Sequence, residues 1–407
     1  MQRLSELGDI SRGVTYKSPD DLRPAGAPRS VQLLRATNIQ GATIDLADVQ
    51  VIDADRVHDR QRLATGDIAI CIANGSRSLV GKAALIDIDR PHEYVVGAFC
   101  ARFRPRKGES SDLIGAILET GKYRAWIDRL LGTTTINNLK PSDIVDCPVL
   151  LPSDQRDRQR LGDLLRTSRS LLHKTDALIA AKREQKRGLM QQLLTGKVRF
   201  PGFTEPWKTV RLGELGLIKS GGTPATGESE YWGGPHAWCT PTDVTALQTR
   251  HLSRTSRTIT DAGMRASAAE LLPPKSVIVC TRATVGIAAI NTVPMSMNQG
   301  FKAIVPRRDV DGDFLYYAIS HAKTDLLRRA AGSTFIEVSM TSFKDIPIRW
   351  PSSFAEQRRI ATLLAGVDLE IELLSSQRAA FAMQRRGLME NLLSGDITIP
   401  SSDTSAA

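Results

Sequence analysis

Residues 187–196 read RGLMQQLLTG and residues 386–395 read RGLMENLLSG, so one ten-residue stretch occurs twice in the chain. The two copies lie 199 residues apart, and the same spacing continues backwards to Pro148 and Pro347 without a gap. Repetition at a fixed spacing indicates two copies of one structural unit. The 407-residue chain is therefore predicted to consist of two related halves.

The part of each half that precedes these stretches matches less closely. Residues 4–8 (LSELG) correspond to residues 212–216 (LGELG), 208 positions later, whereas Gly132 corresponds to Gly332, 200 positions later. A spacing that changes along the chain indicates insertions and deletions in surface loops. Each half is therefore predicted to have a variable globular part followed by a constant tail.

Both constant tails have the apolar spacing of long helices. Apolar residues recur close to a heptad interval through 161–193 and 360–392, which is the pattern of helices that pack against one another. A helix of roughly 40 residues is about 60 Å long and cannot bury such a stripe alone. The residues predicted to lie in the interface between the helices, or with a partner, are Leu164, Leu171, Leu178, Gly188, Leu189, Leu193, Leu363, Val367, Leu374, Gly387, Leu388 and Leu392.

The charges of the tails favour pairing of one tail with the other. Residues 154–199 contain 12 Lys and Arg against five Asp and Glu, whereas residues 353–398 contain five Arg against six acids. A nearly neutral helix can lie against a basic one without strong repulsion, so an antiparallel coiled coil is predicted. The alternative is that these charges form only solvated helix faces.

Two glycines inside the helical stretches need an explanation of their own. Gly188 and Gly387 lie where glycine costs about 1 kcal/mol relative to alanine. Each is expected either to allow the close approach of another helix or to mark a kink.

The globular parts are predicted to mix strands and helices. Residues 67–72 and 276–280 have the composition of short buried strands, while residues 113–131 and 314–330 have helical spacing. Strands do not alternate regularly with helices, so a doubly wound sheet is not indicated. The predicted fold class is α+β, with two mixed α/β domains related by the repeat and separated by the two long helices.

Composition and charge limit the classes of function. Lys and Arg number 54 against 44 Asp and Glu, a formal net charge of +10, which favours a polyanionic partner such as nucleic acid. No apolar run approaches the ~20 residues of a membrane helix, and the N-terminus lacks the apolar stretch of a signal peptide. The five cysteines are widely spaced and do not form a zinc or disulfide pattern. We therefore expect a cytoplasmic protein.

No catalytic motif is found. Residues 75–83 (GSRSLVGKA) resemble a phosphate-binding loop, but five residues separate the glycines where four are required, and Ala83 replaces the Ser or Thr that would hold magnesium. No adenine-methylation motif or S-adenosylmethionine glycine motif is found, and the six histidines are scattered. The sequence therefore predicts neither catalytic residues nor a metal site.

Further motifs accompany the duplicated tails: LGE at 212–214, KSGGTP at 219–224, YW at 231–232, W-x-TP-x-D at 238–243 and EQRRI at 356–360. Their order and the duplication together resemble the specificity (S) subunit of type I restriction-modification systems. The first half departs from this pattern, since SRGVT at 11–15 replaces SGGTP and no residue corresponds to Trp207.

The resemblance implies a division into recognition domains and spacers. It implies target-recognition domains at 1–151 and 200–350, spacer helices at 152–199 and 351–396, and a disordered tail at 397–407. Each domain would read one half of an asymmetric, bipartite site in double-stranded DNA.

The resemblance also implies partner proteins. The helices would set the unread gap and dock two copies of the modification methyltransferase, in a bacterium or archaeon. S-adenosylmethionine, ATP and magnesium are expected only on that partner and on a restriction motor-nuclease subunit, and no cofactor is expected on this chain.

Polar side chains in loops that follow strands can reach base edges while backbone amides meet phosphate. The alternative for any one of them is an exposed loop residue without a contact. Trp232 and Trp238 are expected to be core aromatics. The predicted DNA contacts of the first domain are Arg12, Thr15, Tyr16, Lys17, Arg35, Asn38, Asn74, Ser76, Arg77, Thr133, Thr134 and Thr135, and those of the second are Lys219, Thr223, Thr242, Asp243, Arg282, Thr284, Asn298, Gln299, Ser333 and Thr334.

Two other classes of function are considered. One is a stand-alone DNA-binding regulator, or an S-like subunit of another defence system, which the neighbouring genes would distinguish. The other is a fused enzyme, which the absence of methylation, ATPase and nuclease motifs disfavours.

Overall fold

The computed structural model of the chain describes residues 2–17, 19–132, 136–330 and 337–394, with side chains described as far as residue 391. The chain divides into two compact units: unit 1 contains residues 1–174 and 378–407, and unit 2 contains residues 175–377. Both boundaries fall inside long helices, α5 (Gln155–Leu193) and α11 (Phe354–Ser394). This division differs from the predicted one, because each half of a long helix packs with the unit to which it belongs.

Unit 1 combines short strands with short helices. The helices are α1 (Leu4–Leu7), α2 (Ser111–Ile117), α3 (Gly121–Gly132) and α4 (Pro141–Val145). The strands are β1 (Gln2–Arg3), β2 (Gly8–Arg12), β3 (Ser30–Leu34), β4 (Ile39–Gln40), β5 (Thr43–Ile44), β6 (Gln50–Asp53), β7 (Ile68–Cys71), β8 (Ala83–Leu85), β9 (Tyr94–Val96), β10 (Cys100–Pro105) and β11 (Pro148–Val149).

Two sheets dominate unit 1. The larger is antiparallel, in the order β2-β10-β7-β8, and the smaller has the order β6-β3-β9 with β9 parallel to β3. Strand β7 is buried along its whole length and lies within the predicted strand at 67–72. Helices α2 and α3 cover the predicted helical region 113–131, with a break at residues 118–120.

Unit 2 is built in the same way. Its short helices are α6 (Pro241–Thr245), α7 (Asp261–Arg265), α8 (Gly312–His321), α9 (Lys323–Arg329) and α10 (Met340–Lys344). Its strands are β12 (Lys208–Arg211), β13 (Gly216–Ser220), β14 (Trp232–Cys239), β15 (His251–Leu252), β16 (Arg257–Ile259), β17 (Val277–Cys280), β18 (Ala288–Asn291), β19 (Met295–Met297), β20 (Phe301–Pro306) and β21 (Pro347–Trp350).

The sheets of unit 2 have strand orders similar to those of unit 1, with one additional edge strand, β15, in the larger sheet. The larger sheet has the order β13-β20-β17-β18-β15, and the smaller has the order β16-β14-β19, in which β19 runs parallel to β14. Short antiparallel pairs, β1 with β11 and β12 with β21, occur in the respective units. The fold is mixed α/β with long helices, which confirms the mixed composition predicted from the sequence.

Each unit builds its core partly from the long helices. In unit 1, Leu161, Leu165 and Met389 belong to the same buried cluster as Phe103 of β10. In unit 2, the core contains Ile360 and Leu364 together with the fully buried Phe314, whose ring stacks edge-on at 4.9 Å from that of Trp350. Burying each such side chain contributes roughly 1.5–3 kcal/mol.

The buried side of the long helices corrects part of the predicted interface. Leu164, Leu171 and Leu178 of α5 and Leu363 of α11 are 40–45% exposed. The buried residues of α5 include Leu161, Leu165, Ile179 and Leu193, and those of α11 include Ile360, Leu364 and Val367. Three of the four exposed leucines directly precede a buried Leu or Ile. The face of the helix that points into the core therefore lies one residue further along the chain than predicted.

Other predicted interface residues have a range of environments. Leu189 packs partly buried against the core of unit 2, and Leu374 and Leu388 are half-buried. A Cβ atom added at Gly188 or Gly387 would meet no atom within 4 Å, so neither glycine marks a close helix approach. Both lie within continuous helix as described. The side chain of Leu392 lies outside the described ones.

One glycine in each unit allows a loop to lie directly on a strand end. Gly13 follows β2, and Gly221 follows β13 in the corresponding place. A Cβ atom at Gly13 would overlap the carbonyl oxygens of Val96 and Gly97, and one at Gly221 would overlap those of Met297 and Asn298. Only glycine fits at this contact.

We therefore expect Gly13→Ala and Gly221→Ala to lower the free energy of unfolding by about 1–3 kcal/mol, the usual cost of overpacking. Thermal unfolding monitored by circular dichroism would measure this. Gly75→Ala and Gly227→Ala are matched controls, since a Cβ atom at either position would meet nothing within 4 Å. Equal effects of all four substitutions would contradict the packing argument.

Candidate nucleic-acid interface

In unit 1, strand ends and loops surround a cleft of about 550 Å³. Its walls come from the loop after β2, the ends of β3 and β7, the turn between β9 and β10, and residues 136–138. The residues that line it are Tyr16, Arg35, Ala36, Thr37, Ala73, Asn74, Gly75, Gly97, Ala98, Phe99, Cys100, Ile136, Asn137 and Asn138.

Three of the predicted DNA contacts line this cleft together: Tyr16, Arg35 and Asn74. The Arg35 guanidinium donates to Asp48 Oδ2 at 2.7 Å, while its buried Nε has no hydrogen-bond partner among the described residues. The Asn74 carboxamide oxygen accepts from the Ser76 amide at 2.9 Å, which orients the side chain within the loop after β7.

Other predicted contacts of unit 1 lie outside the lining of the cleft. Arg12, Thr15, Lys17 and Ser76 are exposed. Arg77 donates to the Asp128 carbonyl at 2.7 Å, so part of its guanidinium holds helix α3. Thr133, Thr134 and Thr135 lie outside the described residues.

Asn38 corrects one prediction. It is only 3% exposed, and its NH₂ group donates to the carbonyls of Asp45 and Asp48 at 2.9 and 3.0 Å. Its oxygen accepts from the Arg35 amide at 2.8 Å. Because all of these bonds are internal, Asn38 shapes the loop beside the cleft and does not face DNA.

Several cleft residues were not predicted. Phe99 and Ile136 are 68% and 65% exposed, although both are apolar. Asn137 donates to the Gly75 carbonyl at 3.1 Å and so joins two walls of the cleft. The Asn137-Asn138 pair in a loop is the signal that sequence reasoning could have used, whereas an apolar turn residue such as Phe99 gives none.

In unit 2, four predicted residues lie close together at the corresponding strand ends. The Thr223 hydroxyl donates to the side-chain oxygen of Gln299. The side-chain oxygen of Asn298 accepts from the Gly300 amide at 2.9 Å. A Cβ atom at Gly300 would lie 3.9 Å from the Cβ of Arg282, which places that arginine beside the same turn.

The positive charges near this cluster are partly neutralised. Arg282 pairs with Glu337 at 2.6 Å, and the buried Lys302 lies 3.9 Å from the same carboxylate. Burial lowers the pKa of Lys302 below its ordinary value, although Glu337 acts in the opposite direction. Lys219 pairs with Glu270.

The remaining predicted residues of unit 2 differ in their surroundings. Thr242 is exposed on α6, and the hydroxyl of Thr284 is buried without a hydrogen-bond partner in the described part of the chain. Ser333 and Thr334 lie outside the described residues. Trp238 is 3% exposed, and Trp232 packs edge-on against it at 4.9 Å, which supports their interpretation as core aromatics.

Asp243 has a structural role. Its carboxylate accepts hydrogen bonds from the Thr240 amide and hydroxyl at 2.8 and 2.6 Å and from the Ser256 amide at 2.8 Å. Burial acts to raise its pKa, but these hydrogen bonds outweigh burial, so the pKa lies below its usual value. Both carboxylate oxygens of Asp243 thus already hold the backbone around α6, and a DNA contact at Asp243 stays a prediction.

The cysteine thiols are not activated as nucleophiles. All five cysteines are buried, and burial raises the pKa of each thiol, that of Cys147 to about 11. Among the described residues, no three His, Cys, Asp or Glu side chains are grouped so that they could hold a metal ion. No helix in the described ranges is both long enough and apolar enough to span a bilayer.

Comparison with known proteins gives a family match for most of the second half. Residues 204–380 match the family model of the type I restriction modification DNA specificity domain. This part of the chain, less than half of its length, is similar to that domain family. The matched residues include the cluster of Thr223, Arg282, Asn298 and Gln299.

Individual relatives agree with this result. The chain is 33% identical over 168 residues to the type I restriction enzyme MjaIX specificity subunit of Methanocaldococcus jannaschii, covering 41% of this chain and 39% of that protein. It is 32% identical over 155 residues to the StySPI specificity subunit of Salmonella potsdam, covering 38% and 33%. The chain thus matches between about a third and two fifths of the length of these relatives. The resemblance to type I specificity subunits is confirmed.

A solved structure has a similar fold. The crystal structure of the type I restriction-modification S subunit from M. genitalium superposes with a TM-score of 0.60 at 14% identity, over 98% of this chain and 96% of that chain. At this level of identity the likeness concerns the fold alone.

The hydrogen bonds that Asp243 accepts lead to a prediction. We expect Asp243→Asn to lower the free energy of unfolding by about 1–2 kcal/mol at pH 7, because two amides and a hydroxyl lose a charged acceptor. Because the pKa of Asp243 is lowered in the folded state, the ionised carboxylate stabilises the fold at any pH above its pKa in the unfolded chain, about 3.9. This stabilisation is lost as the pH falls from that value through the pKa of the folded state.

The difference in unfolding free energy between the wild type and Asp243→Asn should therefore shrink below about pH 4. Denaturant titrations at several pH values would measure it. Thr242→Ala, a change at an exposed position on the same helix, serves as the control. A difference that stays constant down to low pH would contradict the assignment.

Proposed function

We propose that this chain is the DNA sequence-recognition subunit of a type I restriction-modification complex. Each unit would read one half of an asymmetric, bipartite site in double-stranded DNA. The observation that carries the proposal is the cleft of unit 1, where Arg35, Asn74 and Asn137 meet at the ends of strands. Its support from outside the structure is the family match of residues 204–380.

The chemistry of both strand-end sites suits DNA. Arginine and asparagine side chains recognise the edges of guanine and adenine in the major groove, and glutamine recognises adenine. Unit 1 offers Arg35 and Asn74, and unit 2 offers Arg282 and Gln299. The net charge of +10 adds attraction to phosphate that does not depend on sequence.

We further propose that the two long helices pair as an antiparallel coiled coil that sets the unread gap. In unit 2, Lys182 pairs with Glu370 and Lys186 with Asp368, both at 2.6 Å. From the first pair to the second, the residue number increases on α5, from 182 to 186, but decreases on α11, from 370 to 368. This is the order expected of antiparallel helices. Asp368 also accepts from the buried Tyr317 hydroxyl at 2.6 Å, which ties α11 to α8.

The pairing has a direct test. We expect Lys182→Glu and Glu370→Lys each to lower the free energy of unfolding by up to about 1 kcal/mol, because each creates a like-charge pair. The double substitution should restore stability to within a few tenths of a kcal/mol. Chemical denaturation would measure all three variants.

The exchange of Glu184 and Arg187, an exposed pair within α5, is the matched control, since it does not report on the other helix. If the double variant is destabilised by the sum of the two single effects, the pairing is contradicted.

Docking of methyltransferase subunits is proposed on exposed apolar helix surface. In unit 1, Leu164 and Leu171 lie one heptad apart on α5 and are 45% and 43% exposed. In unit 2, Leu369 and Leu373 on α11 are 55% and 56% exposed. Two methyltransferase copies and a restriction motor-nuclease subunit are the proposed partners. Methylation and cleavage, with S-adenosylmethionine, ATP and magnesium, are assigned to those partners.

Methylome mapping tests this function. The chain would be co-expressed with the methyltransferase encoded beside it, and N6-methyladenine would be mapped by single-molecule sequencing. We expect a split motif with an unread gap that disappears when this gene is deleted. A matched strain carrying Arg35→Ala should lose selectivity in one half of the motif only.

Absence of both methylation and a stable complex with the methyltransferase would overturn the proposal. That outcome would favour a stand-alone DNA-binding regulator.

A further inference from the structure

The turn between β9 and β10 of unit 1 presents an aromatic ring to solvent inside the cleft. Gly97, Ala98 and Phe99 form this turn, and Phe99 is 68% exposed. Ile136, on another wall of the same cleft, is 65% exposed. A single exposed apolar residue is ordinary, but two in one cleft among polar groups mark a surface that a partner covers.

The backbone of this turn is held firmly. The Phe99 carbonyl accepts hydrogen bonds from the amides of Ile72 and Ala73 at 2.9 and 3.2 Å. The Cys100 amide donates to the Gly97 carbonyl at 2.8 Å, and the Gly97 amide donates to the Leu34 carbonyl at 2.9 Å. The ring is therefore exposed by a turn fixed to the ends of β3 and β7.

The polar groups around Phe99 indicate what covers it. Arg35, Thr37 and Asn74 line the same cleft and supply donors and acceptors of the kind that bind base edges. In the major groove, thymine alone among the bases presents a methyl group, beside its O4 acceptor. A cleft that combines hydrogen-bonding groups with one apolar surface matches a T·A pair.

The corresponding turn of unit 2 has a different chemistry. It follows β19 and precedes β20, and it consists of Asn298, Gln299 and Gly300. Strands β10 and β20 both have six residues and end in proline, so Phe99 corresponds to Gly300. The position that carries the apolar ring in unit 1 is thus a glycine in unit 2, preceded by the polar residues Asn298 and Gln299. Such a difference is expected where the two units read different bases.

We propose that Phe99 contacts the C5-methyl group of a thymine in the major groove and so selects a T·A pair at one position of the half-site. This inference rests on the proposed function, because it assigns the cleft of unit 1 to DNA. Phe99 is then a specificity-determining residue that acts by apolar contact, beside the hydrogen-bonding groups of the cleft.

The experiment uses the full chain and synthetic duplexes. Binding sites are first selected from duplexes with a randomised centre. The best duplex is then remade with deoxyuridine in place of each thymidine, one position at a time, since uracil lacks only the methyl group. We expect one position at which uracil weakens binding of the wild type about 4-fold, the effect of one buried methyl group.

Three variants complete the test. Phe99→Ala should bind the thymine and uracil duplexes equally at that position, whereas Phe99→Leu should keep most of the preference because it keeps an apolar contact. Leu46→Ala is the control, since Leu46 is 43% exposed in the same unit and does not line the cleft. It should leave the ratio of the two affinities unchanged.

The outcomes separate this inference from the proposed function. Selection of a bipartite motif with an unchanged thymine-to-uracil ratio in Phe99→Ala would overturn the inference alone. Loss of methyltransferase co-purification in Phe99→Ala, with that ratio unchanged, would also overturn it and make Phe99 a protein contact. Failure to select any sequence with the wild type would overturn the proposed function, and the inference with it.

Discussion

Neither long helix can bury its apolar face alone, and the rest of the structure depends on this constraint. Leu161 and Leu165 complete the core of unit 1, and Ile360 and Leu364 complete that of unit 2. An isolated helix gains little stability in water, so most of the stability of α5 and α11 comes from these contacts. Because each unit uses the helices as part of its core, the strand-end loops and the helices are expected to fold together.

The sequence predicts the long helices well but not their inward faces. Heptad spacing depends on where apolar residues recur, and α5 repeatedly has two aliphatic residues in succession, as at Leu164-Leu165 and Leu171-Leu172. Neighbouring residues on a helix point about 100° apart, so only one of each pair can face the core. The spacing alone does not indicate which residue of each pair faces the core. In the structure, Leu164 and Leu171 are the exposed residues of their pairs.

The candidate sites show a similar limit. The sequence predicts Tyr16, Arg35 and Asn74 as contacts in loops after strands, and the structure gathers them in one cleft. Asn38 and Asp243 were chosen for the same reason, but short polar side chains bind nearby backbone amides and carbonyls before they reach outward. Phe99 was missed because its environment depends on residues from β3 and β7 that are distant in sequence.

The two units separate what must stay constant from what can vary. Gly13 and Gly221 keep the loop packed on the end of β9 or β19, and neither could change without moving the backbone. The residues immediately around this contact differ between the units, with Phe99 in one and Asn298 and Gln299 in the other. A fixed backbone that carries different side chains can present different chemistry to a partner without a new fold. If the turn contacts DNA as proposed, side-chain substitutions there would change recognition while the glycine contact beneath it is retained.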